Sequence, residues 1–425
     1  MTSQRLLRVY GVLTLLSTFA SSFIWGINTL FLLDAGLTVT QAFAANAFYT
    51  AGEVLFEVPT GVVADTWGRR ASYLLGAATL FGSTLLYLLM WRLHGPFWGW
   101  AVSSVLLGLG FTFFSGATEA WLVDGLRATG YAGTLDAAFA RGQLANGAGM
   151  LTGTIAGGVI AQATSLGVPY LLRAATLALT FAVAFAWMRD VGFAPRRVGS
   201  WRAELVAVAR ASIDQGLRRP PVRWMMLGGV FSSGVLIYAF YAVQPWLLEL
   251  RGRNDYSLAG LAAALAAAAQ ILSAFLVPHA RRLFRRRTSA LLAEVVASAV
   301  ALVAMAAATR VWVVLAVLFA WALIFFAAMP IRQAFLNELI PSEQRATVLS
   351  SDNLLASFGG ALAQPGLGRV AELWGYPTSF AATAALELCA LPFLLLARRT
   401  RAPSDPIPVA RPAHASPGEP QAAQR

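Results

Sequence analysis

Lysine is absent from this sequence, cysteine occurs once and histidine three times. Charged residues fill 12% of its 425 positions, about half the share in an average soluble protein. The lone Cys389, set inside an apolar run, excludes an intrachain disulfide and a cysteine metal cluster. His94, His279 and His414 are scattered along the chain, so no histidine-rich metal site is expected. No G-x-x-x-x-G-K-S/T loop occurs, which removes the usual phosphate cradle of a nucleotide site. The expectation is a protein without metal or cofactor.

Apolar material is present in excess: 58% of residues are hydrophobic. A soluble chain of this length would divide into two or three units with polar surfaces. Here apolar runs follow one another with short gaps, and lipid is the solvent that suits them. The formal net charge is +12, and every basic residue is an arginine. A nucleic-acid binder gathers such charge on a polar face with exposed aromatics. These arginines lie between the apolar runs, so nucleic acid is not expected as a partner.

A helix needs about 20 apolar residues to cross a bilayer. Runs of that order fall near 9–33, 39–64, 71–91, 97–123, 138–163 and 168–188, and again near 222–249, 257–280, 288–308, 311–337, 346–370 and 377–397. The pattern predicts an all-α polytopic membrane protein of 12 transmembrane helices, six in residues 1–188 and six in 222–397. The first run follows Arg5 and Arg8, is too long for the apolar stretch of a cleaved signal peptide, and is expected to be retained as a helix. The arginine-rich segment 189–221 reads as a cytoplasmic linker between the halves. Within it Trp201, Leu205, Val208 and Ser212 share a helical face, which fits an interfacial amphipathic helix or a solvated linker helix. The proline-rich tail 398–425 has no apolar period and is expected to be disordered.

Cytoplasmic loops collect the excess of positive charge. An N-in, C-in arrangement leaves only Arg92, Arg173, Arg251, Arg253, Arg310 and Arg369 on the other side, and it requires an even number of crossings. Trp98 and Trp100, at a span end, read as interfacial anchors. A shift of 216 residues lays Trp25 and Asn28 over Tyr241 and Gln244, Asp34-Ala35-Gly36 over Leu250-Arg251-Gly252, and the segment 61–70 over 277–286. Farther along, a shift of 208 lays Gly167-Val168-Pro169 over Gly375-Tyr376-Pro377. Parallel repeats of this kind place a site between the halves near the midplane of the membrane.

Residues 61–70 read GVVADTWGRR and join the second and third helices. Gly61 would permit close packing, Asp65 could cap a helix or pair with an arginine, Gly68 would allow a tight turn, and Arg69 and Arg70 would anchor at headgroups. The pattern G-x-x-x-D-x-x-G-R-R resembles the signature loop of the major facilitator superfamily. That resemblance implies two six-helix bundles, transport by alternating access, and a gating role for Gly61, Asp65, Gly68, Arg69 and Arg70. The shifted copy, VPHARRLFRR, keeps Arg285 and Arg286 but has Val277, Arg281 and Phe284 in place of Gly61, Asp65 and Gly68. The second latch is therefore expected to be degenerate. On the fifth helix, Gly149, Gly153, Gly157 and Gly158 form a pattern similar to the G-x-x-x-G-P-x-x-G-G motif of proton-coupled drug exporters in the superfamily, with Thr154 where those have proline. The exporters' arginine on the fourth helix has no counterpart between Phe97 and Asp124. Small residues four apart serve close helix packing equally well.

An ionisable side chain at membrane depth is costly and marks a functional site by default. Glu53 and Glu57 on the second helix, with Glu119 and Asp124 on the fourth, are the candidates for proton coupling. Glu53 leads because it lies mid-span, where it cannot easily reach water. Glu57 and Asp124 are expected to partner arginines such as Arg141 or Arg332. In the second half Glu294, Arg332, Glu338, Asp352 and Glu387 fall within or near spans. The resemblance puts the cavity on helices 1, 4, 7 and 10, making Trp25, Asn28, Tyr238, Tyr241, Gln244 and Arg332 its candidate lining. Mixed aromatic and polar groups suit an amphipathic organic solute. The resulting reading is a proton-coupled exporter of amphipathic compounds in a bacterial plasma membrane, assumed monomeric, whose partners are a small molecule, protons and lipid. An uptake symporter for a sugar, organic acid or peptide and a transport-inactive receptor of the same fold are the alternatives. A lipid-modifying enzyme is disfavoured, since His94 and His279 lie at opposite faces with no acidic neighbour at catalytic spacing.

Overall fold

The computed structural model describes residues 1–195, 206, 210, 212–341 and 345–407. Helices α1 (Ser3–Trp25), α2 (Asn28–Asp34), α3 (Val39–Thr66), α4 (Arg69–Leu93), α5 (Phe97–Phe114), α6 (Ala117–Ala128), α7 (Leu135–Ala163) and α8 (Gly167–Trp187) form the first half. The second half contains α9 (Pro220–Arg251), α10 (Tyr256–Leu283), α11 (Arg287–Ala307), α12 (Val311–Asn337), α13 (Arg345–Leu388) and α14 (Leu391–Arg399). Among the described residues, ten helices are long and apolar enough to cross a membrane. Helix α3 is 28 residues long but carries Glu53, Glu57 and Asp65, and its polar load keeps it outside that set. The stretch Val348–Arg399 is one of the ten, yet Gly375 breaks its helix with φ 80° and ψ 164°.

Polarity is inverted relative to a soluble protein. Leu85, Leu171, Val300 and Leu362 are exposed, whereas Thr84, Thr180 and Thr383 are buried. Each buried hydroxyl donates to a carbonyl one turn back on its own helix: Thr84 to Leu80 at 2.6 Å, Thr180 to Thr176 at 2.7 Å and Thr383 to Ser379 at 2.7 Å. Without water, polar groups in a bilayer need such internal partners.

The halves meet where α3 packs on α13 and α7 on α10. The glycines of α7 make this possible. A Cβ built on Gly158 would lie 2.8 Å from the Gly260 Cα on α10, and one on Gly153 would lie 2.6 Å from the Ser22 Cβ on α1. Small residues here let three backbones approach one another.

Two spans expected to be continuous are broken. The first stops at Trp25 and resumes at Asn28; the fourth breaks at Ser115 and Gly116, the latter at φ 66°. At the first break Gln244 of α9 inserts its amide: Nε2 donates to the Trp25 carbonyl at 2.7 Å, and Oε1 accepts from the Thr29 N–H at 3.3 Å. Backbone groups freed inside a membrane require such substitutes. Gln244 thus ties the two halves together at this break, and it is 1% exposed.

The tail also departs from expectation. Residues 400–407 fold back, and Asp405 accepts from the Thr288 N–H at 2.9 Å while its carbonyl accepts from the Arg287 N–H at 2.8 Å. Asp405, 3% exposed, thus satisfies free N–H groups at the start of α11. Proline content hid this because one well-placed acid suffices to order a short segment. Replacing Asp405 by alanine should lower stability by about 1 kcal/mol, the usual cost of a lost cap. A denaturation midpoint equal to wild type would contradict it. The proposed amphipathic helix around 201–212 and the tail beyond 407 lie mostly or wholly outside the described residues.

Candidate functional site

Gly68 starts the loop geometry: at φ 108° it adopts a conformation that side-chain-bearing residues rarely take. The chain then enters α4, and Asp65 Oδ1 pairs with Arg69 Nη1 at 2.6 Å, with Arg69 Nε 3.9 Å from Asp124 Oδ2. The Arg70 N–H donates to Asp190 Oδ1 at 2.9 Å, and its Nη2 donates to the Phe185 carbonyl at 2.7 Å. Burial raises the Asp190 carboxyl above its ordinary value, while the Arg70 N–H and the guanidinium groups of Arg70 and Arg69 pull it back. The two arginines are thus held by protein acids and carbonyls instead of standing free for headgroups. Gly61 is exposed, and a Cβ there would touch nothing within 4 Å, so the expected packing role is not realised.

The second half rebuilds this arrangement from other residues. Arg287 Nη2 pairs with Glu338 Oε1 at 2.5 Å, and Asp405 caps the following helix. Arg287 and Glu338 stand within two residues of the 216-residue repeat of Arg69 and Asp124, while Asp405 comes from the folded-back tail and is not the repeat of Asp190. The motif is degenerate in sequence, but the contact pattern is not, because an arginine after the loop takes over and the tail supplies the acid.

A cavity of about 530 Å³ is lined by Tyr10, Ser17, Trp25, Glu53, Glu119 and Asn146, among others. It belongs to the first half and opens toward the end that carries the N-terminus. A second cavity of about 240 Å³ lies between the halves, with Leu236, Phe240, Trp321 and Phe326 on one side and Asn46, Tyr49 and Glu53 on the other. Glu53 lines both, and it accepts from the Tyr49 hydroxyl at 2.6 Å. At the opposite end the halves are sealed. There Glu372 accepts from the Thr40 N–H at 2.9 Å, Gln162 accepts from the Tyr256 N–H at 2.6 Å, and Gln244 occupies the break in the first span.

The remaining candidates divide. Trp25 and Tyr241 line cavities, and Asn28 reaches a small one while donating to Asn46 Oδ1 at 2.9 Å. Tyr238 is buried in the second half, its hydroxyl 2.7 Å from Ser379 Oγ. Arg332 lines a separate cavity of about 50 Å³ within the second half and pairs with Asp352 through two contacts of 2.6 and 2.7 Å. Asp124 does face an arginine, Arg69 at 3.9 Å, though neither Arg141 nor Arg332, whereas Glu57 accepts from Ser115 Oγ at 3.2 Å. Arg332 already has Asp352, which leaves no place for them. Near Arg332, Glu387 is fully buried and accepts from Ser232 Oγ at 3.0 Å.

One buried charge falls outside the expected set. Arg173 was assigned to the outer side, but it sits within α8 and is 1% exposed. Its position inside the apolar run 168–188 was the available signal. Nε donates to Thr84 Oγ1 at 3.1 Å, Nη1 reaches the Ala20 and Ser21 carbonyls only at 3.5 Å, and Nη2 has no partner.

A helical membrane protein with a polar cavity in its first half, an apolar cavity between its halves and hydrogen bonds joining the halves at one end has the architecture of a transporter. The sequence pattern of the Major Facilitator Superfamily matches residues 10–364 and 254–422. The chain belongs to this superfamily, and the family and its structural neighbours are transporters, not enzymes. Its fold is similar to that of a mutant of the nucleoside transporter NupG, at 12% identity over 92% of this chain and 99% of that one, with a TM-score of 0.76. It is also similar to a POT family transporter in complex with a thioalcohol-conjugated peptide (14% identity, 93% and 96% covered, TM-score 0.69). A bacterial homolog of the human lysosomal transporter Spinster, in an inward-facing and occupied conformation, is similar at 15% identity, with 93% and 96% covered and a TM-score of 0.69. No curated protein matches the sequence.

Proposed function

We propose that this protein is a proton-coupled secondary transporter that exports a small amphipathic organic solute by alternating access. The supporting observation is the position of Glu53, which borders both the polar cavity of the first half and the apolar cavity between the halves. A carboxylate is stable where water reaches it and costly in an apolar enclosure. Moving Glu53 between the two environments links its proton to the conformational change, with Tyr49 as its fixed hydrogen-bond partner. Glu119, on the open cavity wall, is the second carboxyl for this role. Twelve crossings with both termini in the cytoplasm of a bacterial cell put the open end inside. In that orientation Asp65, Gly68, Arg69 and Arg70 hold α4 to α6 on the cytoplasmic face, in keeping with a gating loop.

The test is proton movement in vesicles holding the purified protein, during addition of lipophilic cations, sugars and organic acids in turn. At least one amphipathic solute should drive protons, and a protonophore should abolish the signal. Solute binding without any proton or solute flux would point to a transport-inactive receptor instead.

A further inference from the structure

A buried guanidinium is expensive unless an anion compensates it. Arg173 is buried between α1, α4 and α8, and no ion pair among the described residues includes it. Its compensation consists of one hydroxyl, two carbonyls at the limit of hydrogen bonding and the ring face of Phe111 at 5.9 Å. Nη2 is left without a partner, and so is Nδ2 of Asn46. Both residues line the same cavity, about 40 Å³ in volume, well above the roughly 10–15 Å³ that one water needs. Two unsatisfied donors, one of them cationic, thus face a space large enough for a small anionic group.

This space is not isolated. Asn46, Tyr49 and Tyr241 line both it and the apolar 240 Å³ cavity between the halves, while Trp25 and Phe111 join it to the open cavity. The neighbouring walls differ in kind: donors around Arg173, hydrocarbon and rings around Leu236, Phe240, Trp321 and Phe326. The repeat places Ala381 opposite Arg173 and Leu265 opposite Tyr49, so the charged pocket exists in one half only.

We propose that Arg173 is the anchor for an organic anion: a carboxylate seated against Arg173 and Asn46, with its apolar body extending into the cavity between the halves. The inference rests on the transport reading for its purpose but not for its test. A cationic amphiphile would meet the guanidinium at close range and is disfavoured. A neutral one can accept from the two donors but leaves the buried guanidinium charge uncompensated.

The experiment compares three compounds of one shape, naphthoate, naphthamide and naphthylmethylammonium, by calorimetry on the purified full-length protein. Wild type should bind naphthoate about tenfold or more tightly than naphthamide, the size of a charged hydrogen bond. Arg173→Met should erase this preference without changing naphthamide affinity, and Arg173→Lys should keep part of it. Because Arg173→Met removes an uncompensated buried charge, its melting temperature should not fall. If it does fall, the Lys variant and the wild-type selectivity carry the decision. Equal binding of the acid and amide, a preference for the cation, survival of the preference in Arg173→Met, or no binding of any of the three overturns the proposal. Naphthoate binding through Arg173 with no flux in vesicles would instead remove the transport reading and leave the anion site standing.

Discussion

Glu53→Gln should reduce solute-driven proton movement to the level of empty vesicles while leaving solute binding and folding intact. The substitution keeps shape and an oxygen that can accept from Tyr49, so the 2.6 Å contact survives. What disappears is the exchangeable proton. Glu57, one turn along the same helix, cannot take over, because it points to Ser115 at the far side of the open cavity wall. Uncoupled solute movement down its own gradient should persist in the variant, which separates loss of coupling from loss of the binding site. Proton pumping equal to wild type would assign Glu53 a structural role and transfer the coupling role to Glu119.

Gly158→Val should have an effect of comparable size through a different route. Gly158 and Gly260 meet backbone to backbone, and a Cβ on either would lie 2.8 Å from the Cα of the other. No flexible side chain stands there to move aside. Overpacking of this kind costs about 1–3 kcal/mol, roughly 5- to 150-fold in the ratio of two conformations. The penalty falls on the state described above, in which α7 and α10 are apposed at the sealed end. Gln162 and Tyr256 hydrogen-bond across that seam. In a background with Cys389→Ser, cysteines placed at Gln162 and Tyr256 should cross-link readily, and Gly158→Val should suppress the cross-link and slow transport. Full cross-linking in the valine variant would show that the helices close without that contact.

Much of this arrangement was legible from periodicity and composition. The apolar runs located most of the helices, since each run depends on residues near in sequence. Glu53 was identifiable for the same reason: a carboxyl deep in an apolar run is conspicuous. The breaks at Gly26 and Ser115 were not legible, because helix and interrupted helix look alike in an all-apolar stretch, and only Gln244 of the other half satisfies the freed backbone. Tyr238 shares a helix with Tyr241 but turns into the core, and Arg332 is neutralised by Asp352. Both outcomes follow from partners that lie outside the local pattern.

By itself, then, the sequence determined the solvent, the superfamily resemblance, the helical repeat and the acid in the middle of α3, all consequences of which residue types recur at which spacing. Tertiary structure alone decided that Arg173 lacks a carboxylate, that Arg287, Glu338 and Asp405 replace a missing latch, and that Glu53 borders two unlike cavities. Partnership between charges is a property of distances across helices, and within a bilayer those distances decide whether an ionisable group is a structural tie or a site.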